Sequence, residues 1–405
     1  MLNRVGLARA SRPATRSFFA GAALNRLNLD WVLGPFSADD EVKADGRKLR
    51  DRARQLRRDN PWAARYVALQ VEGILGAHGV MMQARVPVTR KDDSGNLKLN
   101  ERANDTLEAR FKQWSGRRTA DVAQRLSFPR IAQVVVETWK TEGEAFLEIV
   151  PLPTTRNPFG VALRVLDPDQ VDDTLNQAGK PGQPEIKMGV EMDEFGAPAF
   201  YHVWTRHPSE STVEGTRLRR RIPAAQIIHL YDVRRAGQTR GVTPFAPVMQ
   251  DLKMLGGLQE AVLVLQRTAA CKMGFITVDP EQTSPLAPEA GDASVVMDAE
   301  PGRIEQLPAG MQFQSWDPGQ PGAEYDPYTK NVLRGIAAGL GVSYASLTGD
   351  LSEANYSSAR VGMLSERDAF CRDQQALIEA LYARVYAAWL EWGFLSGALD
   401  RKSVV

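Results

Sequence analysis

The polar side chains best placed to do chemistry lie together in GLGVSYASLTGDLSEANYSSAR, Gly339 to Arg360. The middle of this stretch is rich in small polar residues that favour caps and turns, and helix-like apolar patterns flank it on both sides. Three chemistries could use such a segment: a loop presenting a nucleophilic serine, a cradle for phosphate, or a loop that a rigid scaffold presses against something passing by. The first lacks its parts, since no G-x-S-x-G elbow holds these serines and no histidine is near in sequence. The second lacks its lysine, because no GxxxxGK[ST] occurs and Gly335, Gly339 and Gly341 are followed by none.

Metal and redox chemistry find as little support. The four histidines, His78, His202, His207 and His229, form no HExxH, and only His202 and His207 are close in sequence. They flank the end of an expected strand, where a surface or core role outweighs a metal site. Cys271 and Cys371 sit in apolar helical contexts without a CxxC partner and read as buried free thiols. LPTTR, Leu152 to Arg156, reads as a loop. No catalytic residue, metal or cofactor is expected.

The elements that must position the polar stretch are legible from periodicity. RKLRDRARQLRR, Arg47 to Arg58, has seven basic residues and one acid, with Leu49, Ala53 and Leu56 at helical spacing. Arg47, Arg50, Arg54, Arg57 and Arg58 therefore form either a solvated face or a contact with phosphate or an acidic partner. DNPW resets the chain: Asp59 or Asn60 can cap a helix with Pro61 in its first turn, running to about Gly76. Residues 101–142 look helical with a break near Ser127 to Pro129. AFLEIVP, VALRVL, IKMGVEM, PAFYHVW and QIIHLY then read as strands, with DEFG at Asp193 to Gly196 as a hairpin turn, so the region ending near Asp232 is α+β.

After GVTPFAP, Val248, Leu252, Leu255, Leu258, Val262, Leu265 and Ala269 recur at helical steps, over a helix of about 35 Å. Gly256 and Gly257 in its middle predict close packing or a bend. From Asp279 to Pro327 there are ten acidic residues, eight prolines and one basic residue, Arg303, marking a separate acidic, turn-rich insert. Asp326 and Pro327 open another helix that stops at Gly341. Beyond the polar loop a long helix starts near Ser358 and runs through Trp389, longer than one domain of this size buries, so part of it should meet other subunits.

The chain has 405 residues, 43% of them apolar, enough for a real core, and carries 50 basic against 49 acidic residues. Bulk attraction to nucleic acid is therefore excluded, and any such attraction must be local. No apolar run approaches the ~18 residues needed to cross a bilayer, and a secretory signal is not expected. Arg4, Arg9, Arg12, Arg16 and Arg26 precede the first acid, Asp30, a composition that fits a flexible basic arm or a mitochondrial presequence.

The order of these elements resembles a known family. LRDRARQLRRDNPWAARYVALQVEGILGAHGVMMQARV, followed by GVTPFAPVM, a helix, an acidic insert, GLGVSYASLTGDLSEANYSSAR and a long helix, is similar to the lambda-type portal proteins of tailed bacteriophages over about residues 18 to 395. That resemblance implies a virion protein at one capsid vertex, assembled in the host cytoplasm. It implies a dodecameric ring whose channel carries double-stranded DNA in packaging and ejection. Terminase, the capsid or scaffold protein and a head–tail adaptor are the implied partners, with no membrane.

It also implies a portal-type α+β architecture: a basic arm at 1–43, a wing at 44–246, stem helices at 247–272 and 326–341, an acidic clip at 273–325, and a tunnel loop at 342–358. A long helix at 359–395 and a tail at 396–405 complete it. The loop would offer Thr348, Asp350, Ser352, Asn355, Tyr356, Ser357, Ser358 and Arg360 to the DNA backbone, and the stem Lys253, Gln259, Lys272, Lys330 and Arg334. Members of the family continue past the long helix, whereas the sequence here stops at DRKSVV, so a crown that is either much shortened or missing is expected. A DNA-processing component of a packaging machine and a cellular helical scaffold are the competing readings; the first would need a phosphate loop or a carboxylate cluster, and the second rests on residues 1–29 alone.

Overall fold

The computed structural model describes residues 34–77, 79–91, 97–210, 218–270, 274–278, 311–315, 325–352 and 356–400. Ser37 caps helix α1 (Ala38–Asp59), its hydroxyl accepting from the Asp40 amide, and three acids fill the first turn where the helix dipole favours them. Asn60 ends α1 and starts α2 (Pro61–Leu75): its side chain accepts from the amides of Trp62 and Ala63, and Pro61 occupies the position that needs no donor. Both ends of this corner follow from the DNPW sequence.

A hairpin of β1 (Pro87–Lys91) and β2 (Leu97–Leu99) leads into α3 (Glu101–Trp114), the single-turn α4 (Arg117–Ala120) and α5 (Phe128–Glu142). The break expected near Ser127 thus begins at Ser115. Gly143 closes α5 with φ +92°, and a Cβ there would lie 2.2 Å from the Val242 carbonyl carbon, so the position needs glycine on two counts.

β3 (Glu144–Pro151), β4 (Val161–Leu166), β5 (Glu185–Lys187), β6 (Val190–Met192), β7 (Pro198–Trp204), β8 (Arg219–Pro223) and β9 (Ile227–Tyr231) form two antiparallel sheets, ordered β4-β3-β9 and β5-β6-β7-β8. IKMGVEM is not one strand but two, because Met188 and Gly189 both take positive φ and fold it into a hairpin. β8, RRRIP, escapes a hydrophobic reading. Its arginines are held across the sheets by acids: Arg219 by Asp172 at 2.7 Å, Arg220 by Glu148 and Arg221 by Glu191.

α6 (Met249–Ala270) and α7 (Tyr325–Leu340) flank the acidic insert, of which the hairpin β10 (Gly274–Val278) with β11 (Met311–Ser315) is described. α6 passes through Gly256 and Gly257 without a break, and among the described residues nothing lies within 4 Å of a Cβ placed at either, so the close packing expected there is not seen among them. α8 (Tyr344–Thr348) follows, then α9 (Tyr356–Leu377), a π-helical turn at Ile378–Tyr382, and α10 (Ala383–Leu395).

Three cores hold these pieces. α3, α5, the three-stranded sheet and α10 enclose one, with Trp114, Trp139 and Trp389 almost wholly buried. Phe146, Val203 and Ile222 fill the second, between the sheets. The third joins α1 and α2 to α6, α7 and α8 through Val67, Leu252, Ile336 and Leu347, so the base of the two helices around the insert is rooted in the N-terminal helix pair. Cys371, expected to be buried, is exposed, because α9 presents that side to solvent; Cys271 lies outside the described residues. Among the described residues no helix is long and apolar enough to cross a membrane.

Candidate functional site

The polar stretch is more ordered than its composition suggests. Gly341, at φ +71°, ends α7, and Val342 turns inward. The Ser343 hydroxyl then caps α8, accepting from the Ser346 amide at 3.1 Å, while the apolar face of that short helix buries Leu347. Gly349, left-handed at φ +74°, stops it. What reads as an open loop from 342 to 358 is therefore a helix, a turn and the start of α9.

Three of the polar groups expected to meet DNA, Thr348, Asp350 and Ser352, are engaged within the segment. Thr348 donates its hydroxyl to the Tyr344 carbonyl at 2.8 Å and accepts from the Asp350 amide at 3.1 Å. Asp350 accepts from the Ser352 amide at 3.0 Å, the Ser352 hydroxyl at 2.6 Å and the Tyr344 hydroxyl at 3.2 Å. The hydrogen bonds from Ser352 hold the Asp350 carboxyl below the usual carboxylate range, so the exposed tip carries a fixed negative charge. Asp350 thus repels phosphate where a contact was expected. Tyr356, Ser357, Ser358 and Arg360 belong to the first turns of α9, with Arg360 exposed, and Asn355 lies outside the described residues.

Of the stem residues, Lys253 is exposed and Gln259 half-buried on α6, and Lys272 lies outside the described residues. Lys330 pairs with Asp326 at 3.0 Å on α7, and the Arg334 guanidinium lies 5.4 Å from the centre of the Tyr344 ring, joining α7 to the tip.

Of the readings left open for the basic helix, Arg50 and Arg54 follow the contact with acids, and the acids belong to this same chain. Arg50 is buried and donates to Glu144 at 3.1 Å, Asp169 at 2.8 Å and Asp173 at 3.0 Å. Arg54 reaches Asp169 at 2.5 Å, Glu142 at 2.6 Å and Asp167 at 2.7 Å. These two cannot serve phosphate, because acids of the α+β region already use their donors. Arg57 faces Glu137 at 3.8 Å, Arg58 pairs with its neighbour Asp59, and Arg47 remains at the surface.

Glu144 is the centre of this cluster. Fully buried, it accepts from the Arg240 guanidinium at 2.7 to 3.0 Å, from Arg50, from the Gly241 amide at 2.9 Å, and faces His229 at 3.2 Å. Burial alone would push its carboxyl up; Arg240 and His229 together hold it far below the usual range. Glu142 goes the other way: burial outweighs Arg54 and pushes it up to about 7. The clues to the hub were an acid adjoining an apolar strand, in GEAFLEIV, and a lone arginine in QTRGVTPF.

Asp167, Asp169 and His207 converge closely enough to suggest a cation site. Arg54 already sits on the facing carboxylate oxygens. The Ser209 amide donates to His207 Nδ1 at 3.1 Å, which leaves the ring proton on Nε2, the atom that faces both acids at 3.7 Å. The ring presents a donor there, not a metal ligand.

The sequence matches the model of the phage portal protein, lambda family, over residues 24–374. The chain belongs to this family of phage portal proteins. It is 31% identical over 398 residues to a probable portal protein of Halomonas phage phiHAP-1, covering 96% of this chain and 74% of the relative. It is 24% identical over 365 residues to portal protein B of Escherichia phage lambda, covering 84% of this chain and 67% of that one, and 28% identical over 251 residues to the portal protein of Escherichia phage N15, covering 56% and 46%. Among solved structures the neck of an empty GTA particle computed with C6 symmetry aligns with TM-score 0.44 and 19% identity over 84% of this chain and 82% of that chain. The neck of a native GTA particle computed with C12 symmetry aligns with TM-score 0.43 and 18% identity over 91% of this chain and 82% of that chain. The portal family match spans both helices flanking the insert, the hub and the tip.

Proposed function

We propose that this chain assembles as a twelve-subunit ring at one capsid vertex and forms the channel through which double-stranded DNA enters and leaves the particle. The observation that carries the reading is the family match over residues 24–374. The protomer is consistent with it. Met254, Leu263 and Val264 on α6 and Met363 and Leu364 on α9 are exposed apolar side chains, the kind of surface that a neighbouring subunit covers.

In this reading the acidic insert is the clip on which the terminase docks, the head–tail adaptor and scaffold protein bind elsewhere on the ring, and the role is not catalytic. The Thr348–Ser352 tip guides DNA without holding it. Its one charge is negative, and its donors are satisfied internally, so a moving duplex meets a low-friction surface in place of a row of cations that would bind it.

The test pairs ring assembly, by microscopy and native mass spectrometry, with the DNA content of assembled particles. Rings that form while particles of a tip-shortened variant (residues 350–354 removed) lack full-length DNA are expected. A chain that stays monomeric at micromolar concentration refutes the ring; normal packaging by the shortened variant refutes the role of the tip.

A further inference from the structure

The segment between α7 and α9 is closed at its base by one side chain from outside it. Glu366, nearly three turns into α9, accepts from the Ser343 amide with one oxygen and from the Ser346 hydroxyl at 2.8 Å with the other. The Ser343 hydroxyl in turn donates to Ser346 Oγ at 2.9 Å, so a chain of hydroxyls ends on the carboxylate. One carboxyl thus ties the first turn of α8 to the outgoing helix, and everything between them, including the tip, hangs from that clasp.

The other attachments of the segment differ in kind. Among the described residues Val342 and Leu347 are its buried apolar anchors, the Arg334 guanidinium of α7 lies 5.4 Å from the centre of the Tyr344 ring, and the Tyr344 to Asp350 bond lies inside the segment itself. Behind the clasp is a polar cavity of about 280 Å³ lined by Glu366 with Gly339 and Gly341 from the end of α7 and Lys140 and Asp373 from the wing and α9. Tight packing therefore does not fix the turn from that side, and charge-assisted hydrogen bonds must.

We infer that Glu366 is the positioning residue of the tip: by clasping Ser343 and Ser346 it sets the orientation of α8 and hence how Thr348 to Ser352 are presented. This rests on the reading of the tip as the DNA-facing element, and the experiment separates the two. Glu366→Ala and Glu366→Gln are made in the full chain. Hydrogen exchange at the amides of Ser346, Leu347 and Gly349 is measured alongside ring assembly and particle DNA content. Removing two charge-assisted bonds should speed exchange there by roughly 10- to 100-fold in the alanine variant, with rings intact. Glutamine, which keeps the shape and one acceptor for the Ser343 amide but no charge, and whose amide nitrogen can donate to Ser346 Oγ, should restore part of the protection and of the DNA content.

Unchanged exchange in Glu366→Ala, or exchange equally fast in Glu366→Gln, overturns the inference. Faster exchange rescued by glutamine, with DNA content normal throughout, upholds Glu366 as the positioning residue and refutes the DNA-facing reading. Should Glu366→Ala fail to assemble, Ser346→Ala removes the 2.8 Å bond to Glu366 together with the 2.9 Å bond from the Ser343 hydroxyl and leaves the Ser343 amide on the carboxylate, and the same exchange measurement on that variant decides.

Discussion

Replacing Glu144 with alanine tests how α1 and the strands around β3 are joined. The carboxylate is fully buried and compensates Arg240 and Arg50 at once. The two arginines differ in what the loss leaves them. Arg50 keeps Asp169 and Asp173, whereas Arg240, itself buried, keeps hydrogen bonds to the carbonyls of Met188 and Pro168 and its place 5.1 Å from the centre of the Phe146 ring. One guanidinium is left buried without a counter-charge, and breaking a buried pair in this way costs about 3–5 kcal/mol. The Gly241 amide and His229 also lose their acceptor, which places the expectation at the upper end of that range.

Hydrogen exchange at the β3 and β9 amides is the suitable assay, because a chain with three cores need not unfold in one step. At about 1.4 kcal/mol per factor of ten, exchange should accelerate by roughly two to four powers of ten. Arg58→Ala, at an exposed pair, is the control and should change stability by less than about 0.5 kcal/mol. Acceleration of β3 and β9 below tenfold would show that Arg240 finds other compensation, and the hub would not hold the wing together.

Glu142→Gln should flatten the pH dependence of wing stability. The folded carboxyl titrates near 7, above its ordinary 4.5, so its favourable contribution is complete below the ordinary value and lost as pH rises through 7; denaturant midpoints of wild type should fall between pH 5 and 8, by the equivalent of about 3 kcal/mol at most, and those of the variant should not. Gly143→Ala should cost more than about 2 kcal/mol, through the positive φ and the collision with Val242, and a thermal midpoint within a degree of wild type would contradict that geometry. Asp350→Asn should raise the affinity of assembled rings for duplex DNA and steepen its salt dependence, measured by retention of a labelled duplex across a salt series; unchanged binding would mean the tip charge does not face the DNA.

Local rules made most of the elements legible in the sequence. The DNPW corner, the strands from AFLEIVP to QIIHLY and the helices around the acidic insert each depend on caps, turns and periodicities that a few neighbouring residues decide. Two of the misreadings share a cause. The open loop at 342–358 failed because Ser343 and Leu347 satisfy themselves against Glu366 and the third core, partners outside any local window. The strand β8 was hidden because its cross-strand acids, not apolar alternation, hold it.

Composition determined that no bulk charge draws this chain to DNA, and element order placed it beside the portal proteins, since both are properties of the chain read end to end. The fate of the arginines was decided only by the tertiary structure. Whether a guanidinium meets solvent, phosphate or a carboxylate depends on what the fold brings within about 3 Å. For Arg50 those partners lie 94, 119 and 123 residues away, beyond the reach of any spacing rule.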